Sequence, residues 1–261
     1  MWNASLFNGK GQPMTTSTSG PQRLYLMQVA TITVGPFTIP VPCYLIQTED
    51  GKNILIDSGF PRTEKTEEVR EDAVGRSLVI EHRKDVVEQL AMIGVRPSDI
   101  DLLICTHYDG DHAGNNAAFP NARFVAQRLQ HEVASAGDPR FADVRSQWDQ
   151  PLSRYQLVDG DAELFPGIEL IETSGHVPGH QAVLVSLPQT GPVLLAIDAV
   201  AVQAHFTADR PVGPTEADGA GAIASTRKLL DLVERKHVSL VIFGHDSPQW
   251  STLKQLPDFF D

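Results

Sequence analysis

Positive charge is scarce in this chain: 21 lysines and arginines stand against 33 aspartates and glutamates, a formal net charge of −12. General nucleic-acid binders and ligands of anionic membranes need a basic surface to displace counterions, so the composition argues against both and favours a small neutral partner. Cysteine is scarcer still. Cys43 and Cys105 each sit inside an apolar run, PVPCYLI and LLICTH, and read as reduced core thiols rather than a disulfide framework. No uninterrupted apolar run approaches the ~18 residues of a membrane span. The opening MWNASLFNGKGQPMTTSTSG has neither the basic nor the apolar region of a signal peptide, which makes the cytoplasm the expected compartment. Residues 1–20 read as a polar N-terminal arm. No short repeat and no Gly/Ser linker divides the remainder, so 21–261 is expected to form a single domain, and with 41% hydrophobic residues it can bury a substantial core.

What is present is a series of short apolar runs bounded by Gly, Pro, Asp or Asn: Leu24–Thr33, Tyr44–Gln47, Asn53–Asp57, Leu102–Cys105, Arg123–Ala126, Ile168–Glu172, Ala182–Ser186, Val193–Ile197 and Leu240–Phe243. These read as strands. Helical periodicity falls between some of them, over Lys84–Ile93, Arg128–Ala136 and Ala220–Arg235. Such an order defines a mixed α/β class and nothing finer. The stretch Phe60–Arg83 is highly charged and poor in apolar residues and reads as a surface insertion or lid near the mouth of a site. Ala204–Asp218, with Pro211, Gly213 and Pro214, reads as a second rim.

Several of the strands end in an acid or a histidine: LIDSG at Asp57, LICTHYDGDHAGN at His107 to His112, LIETSGH at His176, LLAIDAV at Asp198 and VIFGHD at His245. A strand fixes the position of the residue at its end, where a layered fold opens to solvent. Imidazole and carboxylate suit borderline and hard divalent cations, and a centre for two ions needs three or four protein ligands per ion with one group shared. His107, Asp109, Asp111, His112, His176, Asp198 and His245 supply that set. HxDxDH alone places four ligand-type side chains within six residues, ahead of the small Ala113–Gly114 pair that permits a tight turn into a helix.

These motifs resemble those of the metallo-β-lactamase superfamily, HxHxDH followed by GH, a bridging Asp and a final GH. Within it the chain is most similar to the N-acyl-homoserine lactone lactonases, through RPSDIDLLICTH (96–107), FPNARFVAQR (119–128) and DGDAELFPGIELIETSGHVPGHQAVLV (159–185). The resemblance implies a four-layer αββα sandwich with the metal site at one edge of the two sheets. It implies that His107, Asp109 and His176 hold a first metal, that Asp111, His112 and His245 hold a second, and that Asp198 bridges them. His180, the later histidine of SGHVPGH, is then structural. Asp57 matches the superfamily's early Asp and is expected to orient a ligand or stabilise a turn rather than to ligate. Asp246 is expected either to orient His245 or to cap a strand end.

Two residues depart from the family pattern. Asp109 stands where the family has a second histidine; a carboxylate still reaches zinc at about 2.0–2.2 Å, but it adds negative charge and shifts preference toward manganese or iron. Ala201 stands where lactonases often carry a tyrosine beside the substrate carbonyl. The expected cofactors are two divalent ions, zinc first, with manganese, iron or cobalt as alternatives. The expected reaction is the opening of a lactone, with Asp111 passing a proton to the leaving alkoxide. The expected partner is a small lactone or ester; side chains of Phe60–Arg83 and around Phe206 either form a pocket for its acyl chain or are simply rim packing, and a homodimer is left open. Phosphoester, organophosphate or thioester hydrolysis on the same fold is the alternative, as is a degenerate member that binds without catalysis.

Overall fold

The computed structural model describes residues 19–71 and 75–261; all but the last two residues of the expected arm therefore lie outside the described residues. Among the described residues, thirteen strands and six α-helices follow in chain order: β1 (Pro21–Val34), β2 (Phe37–Thr48), β3 (Asn53–Ile56), β4 (Glu67–Glu71), β5 (Ser77–His82), α1 (Val86–Met92), β6 (Leu102–Ile104), α2 (Gly110–Ala113), β7 (Arg123–Gln127), α3 (Arg128–Ser135), α4 (Arg145–Trp148), β8 (Tyr155–Val158), β9 (Ala162–Phe165), β10 (Ile168–Glu172), β11 (Gln181–Leu187), β12 (Gly191–Ile197), α5 (Gly219–Lys236), β13 (Leu240–Phe243) and α6 (Ser247–Trp250). They build an eight-stranded sheet in the order β4-β5-β1-β2-β3-β6-β7-β8 and a five-stranded sheet in the order β13-β12-β11-β10-β9. In the first sheet β3, β6, β7 and β8 run parallel. In the second only β12 and β13 do.

The apolar runs are continuous because both faces of each central strand are buried. Successive residues of a strand point to opposite faces, and the side chains sort accordingly. Leu24 and Leu26 of β1, Tyr44 and Ile46 of β2, and Val193 and Leu195 of β12 meet in the layer between the sheets, together with Ile54, Ile56 and Ile104. Their neighbours Tyr25, Met27 and Leu45 face the other way, against Val86 and Leu90 of α1, Ala134 of α3 and Trp148 of α4. On the far side of the second sheet, Leu194 and Ala196 pack against Leu229 and Leu232 of α5. The result is the four-layer αββα sandwich that the motifs imply.

The nine expected strands and three longer helices form at the expected places. Asp85 and Glu88 close a reciprocal capping box at 2.8 and 2.9 Å, which sets the start of α1. The stretch Phe60–Arg83 differs from its expected irregular form. Within it β4 and β5 make a hairpin, and β5 extends the sheet by pairing with β1, with Ile80 opposite Ile32 and Leu78 opposite Val34. The charges of EEVRE mask this strand because it lies at the sheet's edge with its side chains largely exposed. Residues 72–74 of this stretch lie outside the described residues. No helix among the described residues is long and apolar enough to cross a membrane.

Candidate metal centre

The expected site residues leave the fold at strand ends on one edge of the sandwich. Asp57 follows β3, His107 to His112 follow β6, His176 lies in the turn between β10 and β11, Asp198 ends β12 and His245 ends β13. Two close approaches make the convergence feasible. Gly175 has φ +147°, and a Cβ there would lie 2.2 Å from the Ala222 nitrogen, so only glycine lets the His176 turn rest on the start of α5. A Cβ on Gly244 would stand 2.6 Å from the Ile197 carbonyl and 2.9 Å from Asp198 Oδ1. Ile197 itself is held at φ +50°, a conformation that costs a β-branched residue roughly 1–3 kcal/mol and is stored immediately before Asp198.

Each of the four histidines has one ring nitrogen fixed by the protein. His107 Nδ1 lies 3.1 Å from Thr106 Oγ1, His112 Nδ1 is 2.8 Å from Asp57 Oδ2, His176 Nδ1 is 3.3 Å from Glu216 Oε2, and His245 Nδ1 donates to the Pro40 carbonyl at 2.7 Å. The opposite nitrogen, Nε2, is thereby left to face a common centre in all four. His107 Nε2, His112 Nε2 and Asp198 Oδ1 are buried with no hydrogen-bond partner among the described residues. Orphaned atoms of this kind cost about 1–3 kcal/mol each and are retained where something else satisfies them.

Spacing fits a metal. A tetrahedral shell with bonds near 2.0–2.1 Å sets neighbouring donor atoms about 3.3–3.4 Å apart. Asp109 Oδ2 lies 3.4 Å from His107 Nε2 and 3.2 Å from His176 Nε2. Around the second position, His112 Nε2 lies 3.6 Å from Asp111 Oδ2, and His245 Nε2 lies 3.8 Å from the same oxygen. Asp198 offers one oxygen to each half: Oδ2 is 3.3 Å from His176 Nε2, and Oδ1 is 3.2 and 3.5 Å from His245 and His112 Nε2. The clusters His107–Asp109–His176, His107–His112–Asp198 and Asp111–His112–His245 each gather their donor atoms within 4.8 Å. All seven sequence-derived residues are brought together.

The electrostatics favour charged carboxylates. Burial alone would raise the Asp198 carboxyl, but His245, His112 and His176 hold it well below the usual range. Asp109 is likewise held low against its own desolvation, chiefly by the Arg140 guanidinium that grips it, with the nearby His107 and His176 rings acting in the same direction. His180 behaves differently. Burial and the neighbouring His107 push its ring well below the ordinary value, so it is neutral, with Nδ1 at 2.8 Å from Thr173 Oγ1 and Nε2 accepting from the Asp198 backbone at 3.3 Å. Both ring nitrogens are spent inside the protein, which leaves His180 a structural role under Asp198.

Asp57 adopts φ +57° and accepts from Thr106 N at 2.9 Å and Thr106 Oγ1 at 2.7 Å while it orients His112. Asp57→Ala strands three buried donors. It is expected to lower stability by roughly 2–5 kcal/mol and metal affinity about 10–100-fold, read by urea unfolding and by competition with a chelator. Asp246 does not orient His245. Its carboxylate caps the start of helix α6 through Gln249 N at 2.9 Å and accepts from Gln203 N at 2.7 Å, a helix cap rather than the expected strand-end cap.

Beside the centre opens a cleft of about 530 Å³. Asp109, Asp111, His176, Asp198 and His245 line it on the side of the centre; an apolar wall comes from Ile32, Phe37 and Ile39 of the β1–β2 hairpin, Leu78 and Ile80 of β5, and Phe60, with the charged Arg70, Glu71 and Arg76 also in the lining. Ala201 lines it as well. Phe206 is not part of this wall. It packs against Phe243 at 5.5 Å between rings, under α5. Of the rim stretch 204–218, His205, Thr215 and Glu216 reach the cleft. Arg140 also lies there, and no local motif marks it: it stands alone on the short turn Pro139–Phe141.

A β/β sandwich with helices outside and a histidine–carboxylate centre at one edge defines a metal-dependent hydrolase class. The chain belongs to the metallo-beta-lactamase superfamily, whose family model matches residues 37–245. An N-acyl homoserine lactonase of a Bacillus species is 34% identical over 237 residues, covering 88% of this chain and 91% of that protein. The N-acyl homoserine lactonase AttM of Rhizobium radiobacter is 30% identical, covering 91% and 98%. Among solved structures, an N-acyl homoserine lactone hydrolase with the product N-hexanoyl-L-homoserine bound at its catalytic metal centre superposes with a TM-score of 0.82 at 28% identity, covering 92% of this chain and all of that one.

Proposed function

We propose that the protein hydrolyses the lactone ring of N-acyl homoserine lactones, a quorum-quenching activity, at a centre of two divalent ions of which zinc is the first choice. The observation that carries this reading is the set of four histidines whose Nδ1 atoms are all tied back into the protein while their Nε2 atoms converge beside an apolar cleft. His107, Asp109 and His176 would hold one ion and Asp111, His112 and His245 the other, with Asp198 giving an oxygen to each. Divalent ions bound there supply a water activated near neutral pH and an electrophile for the lactone carbonyl. Asp109, a carboxylate at the position where the family motif HxHxDH has its second histidine, leaves manganese, iron and cobalt in contention.

The protein's own groups do the rest. Asp111, half-buried at the mouth of the centre, would carry a proton to the ring oxygen as the C–O bond breaks, so that an alcohol rather than an alkoxide leaves. The apolar wall takes the acyl chain and excludes water from the ester. A neutral substrate needs no basic steering surface, in keeping with the net charge of −12. The two buried free thiols, Cys43 and Cys105, suit a reducing cytoplasm. We take residues 21–261 as the catalytic unit.

A panel of substrates tests the reading: kcat/KM for N-acyl homoserine lactones should exceed that for phosphodiesters, phosphotriesters and S-acyl thiols, and a preference for any of these others would replace it. Phe37→Asp, which puts a charge on the exposed part of the apolar wall, is expected to raise KM for a long-chain lactone about 10-fold or more while leaving a short-chain one nearly unchanged. Steady-state kinetics on the two substrates checks it.

A further inference from the structure

Arg140 spends all of its N–H groups on the metal centre's surroundings. Nε and Nη2 grip Asp109 as a fork, at 2.7 Å to Oδ1 and 2.5 Å to Oδ2. Nη1 donates to the Thr215 carbonyl at 2.8 Å and to the His176 carbonyl at 3.3 Å. Nη2 also stands 2.9 Å from His176 Nε2. Asp109 Oδ2 and His176 Nε2 are therefore both addressed by one guanidinium nitrogen, and they are two of the three donor atoms of the first metal position.

An oxygen of a carboxylate has lone pairs to share between a cation and a hydrogen bond. A neutral imidazole nitrogen has one, which either accepts an N–H or binds an ion. At His176 Nε2 the guanidinium and an ion exclude each other. The second position differs, since His112 Nε2 and Asp198 Oδ1 have no hydrogen-bond partner among the described residues. Charge explains why the arginine is there. A histidine at position 109 would be neutral and would offer no fork, whereas Asp109 supplies both the negative charge and the planar bidentate geometry that a guanidinium matches.

We propose that Arg140 is a built-in cation of the first metal position, paired with Asp109, so that an ion enters there only when Nη2 releases His176 Nε2. The protein then fills its two positions unequally. The first equivalent of metal goes to Asp111, His112, His245 and Asp198, and the second must displace the guanidinium.

This inference rests on the two-ion reading above, and the test separates the two. Metal-stripped protein is titrated with zinc and with cobalt against a chromophoric chelator, and the ion count at each step is read by native mass spectrometry. The expected result is two steps, the second at least ~10-fold weaker than the first. Arg140→Gln should tighten the second step alone, by about 10–100-fold, the range over which groups around metal ligands tune affinity. Asp109→His, which removes the arginine's anchor and restores an imidazole, should do the same and stands in should the glutamine variant fold poorly. Equal filling of both positions by the unaltered protein overturns the inference, as does a second step weakened by Arg140→Gln, which would make the arginine a support of Asp109 rather than a competitor. Failure of every form to bind any ion overturns the two-ion reading and the inference with it.

Discussion

Asp198→Asn is expected to reduce kcat/KM for lactone opening by roughly 10³-fold or more, the several kcal/mol that a metal-held nucleophile and electrophile contribute. The carboxylate addresses both halves of the centre, with Oδ2 at 3.3 Å from His176 Nε2 and Oδ1 at 3.2 and 3.5 Å from His245 and His112 Nε2. An amide of the same shape presents one oxygen and one donor group, so it can serve one half and repels an ion from the other. The strained turn at Ile197 and the hydrogen bond from Asp198 N to His180 are backbone features that survive the change. The fold should therefore persist while the metal count falls below that of the unaltered protein. Kinetics together with elemental analysis checks both halves of this expectation, and activity within tenfold of the original would remove Asp198 from the centre.

Asp111→Asn is expected to lower kcat by about 10²–10⁴-fold with little change in KM, the scale of a lost proton carrier. The substituted amide would keep an oxygen for the ion that Asp111, His112 and His245 are proposed to hold, but it cannot pass a proton to the departing ring oxygen. The choice of substrate sharpens the test. An aliphatic alkoxide needs that proton and an aryloxide does not, so the loss should shrink markedly for a lactone whose leaving group is a phenol. An equal loss on both substrates would make Asp111 a ligand and nothing more.

Most of the scaffold was legible because its strands are buried on both faces. Runs such as LYLMQVATIT and VLLAI must be apolar throughout, and short apolar runs bounded by turn residues announce themselves. The β4–β5 hairpin was not legible, since an edge strand such as EEVRE (β4) carries a solvent-facing pattern and is placed by pairing with β5, which in turn pairs with β1. The same division holds at the centre. The seven ligand-type residues lie in local motifs at strand ends, and local spacing exposes them. Two of the groups that hold them were not legible because they come from far along the chain without a motif: the Pro40 carbonyl that fixes His245 is 205 residues away, and Glu216 behind His176 is 40 away. Arg140 belongs to this second kind. Asp109 created a demand for a cation, but only the packing of the Pro139–Phe141 turn against the His176 loop shows which arginine meets it.

Lactone opening breaks the ring ester and leaves the acyl amide whole. An N-acyl homoserine lactone incubated with metal-loaded protein and followed by mass spectrometry should yield one product heavier by a single water with its acyl amide intact; chelation should stop its formation and added zinc should restore it. Release of the free fatty acid from the amide, or unchanged lactone from fully metal-loaded protein, would contradict lactone opening.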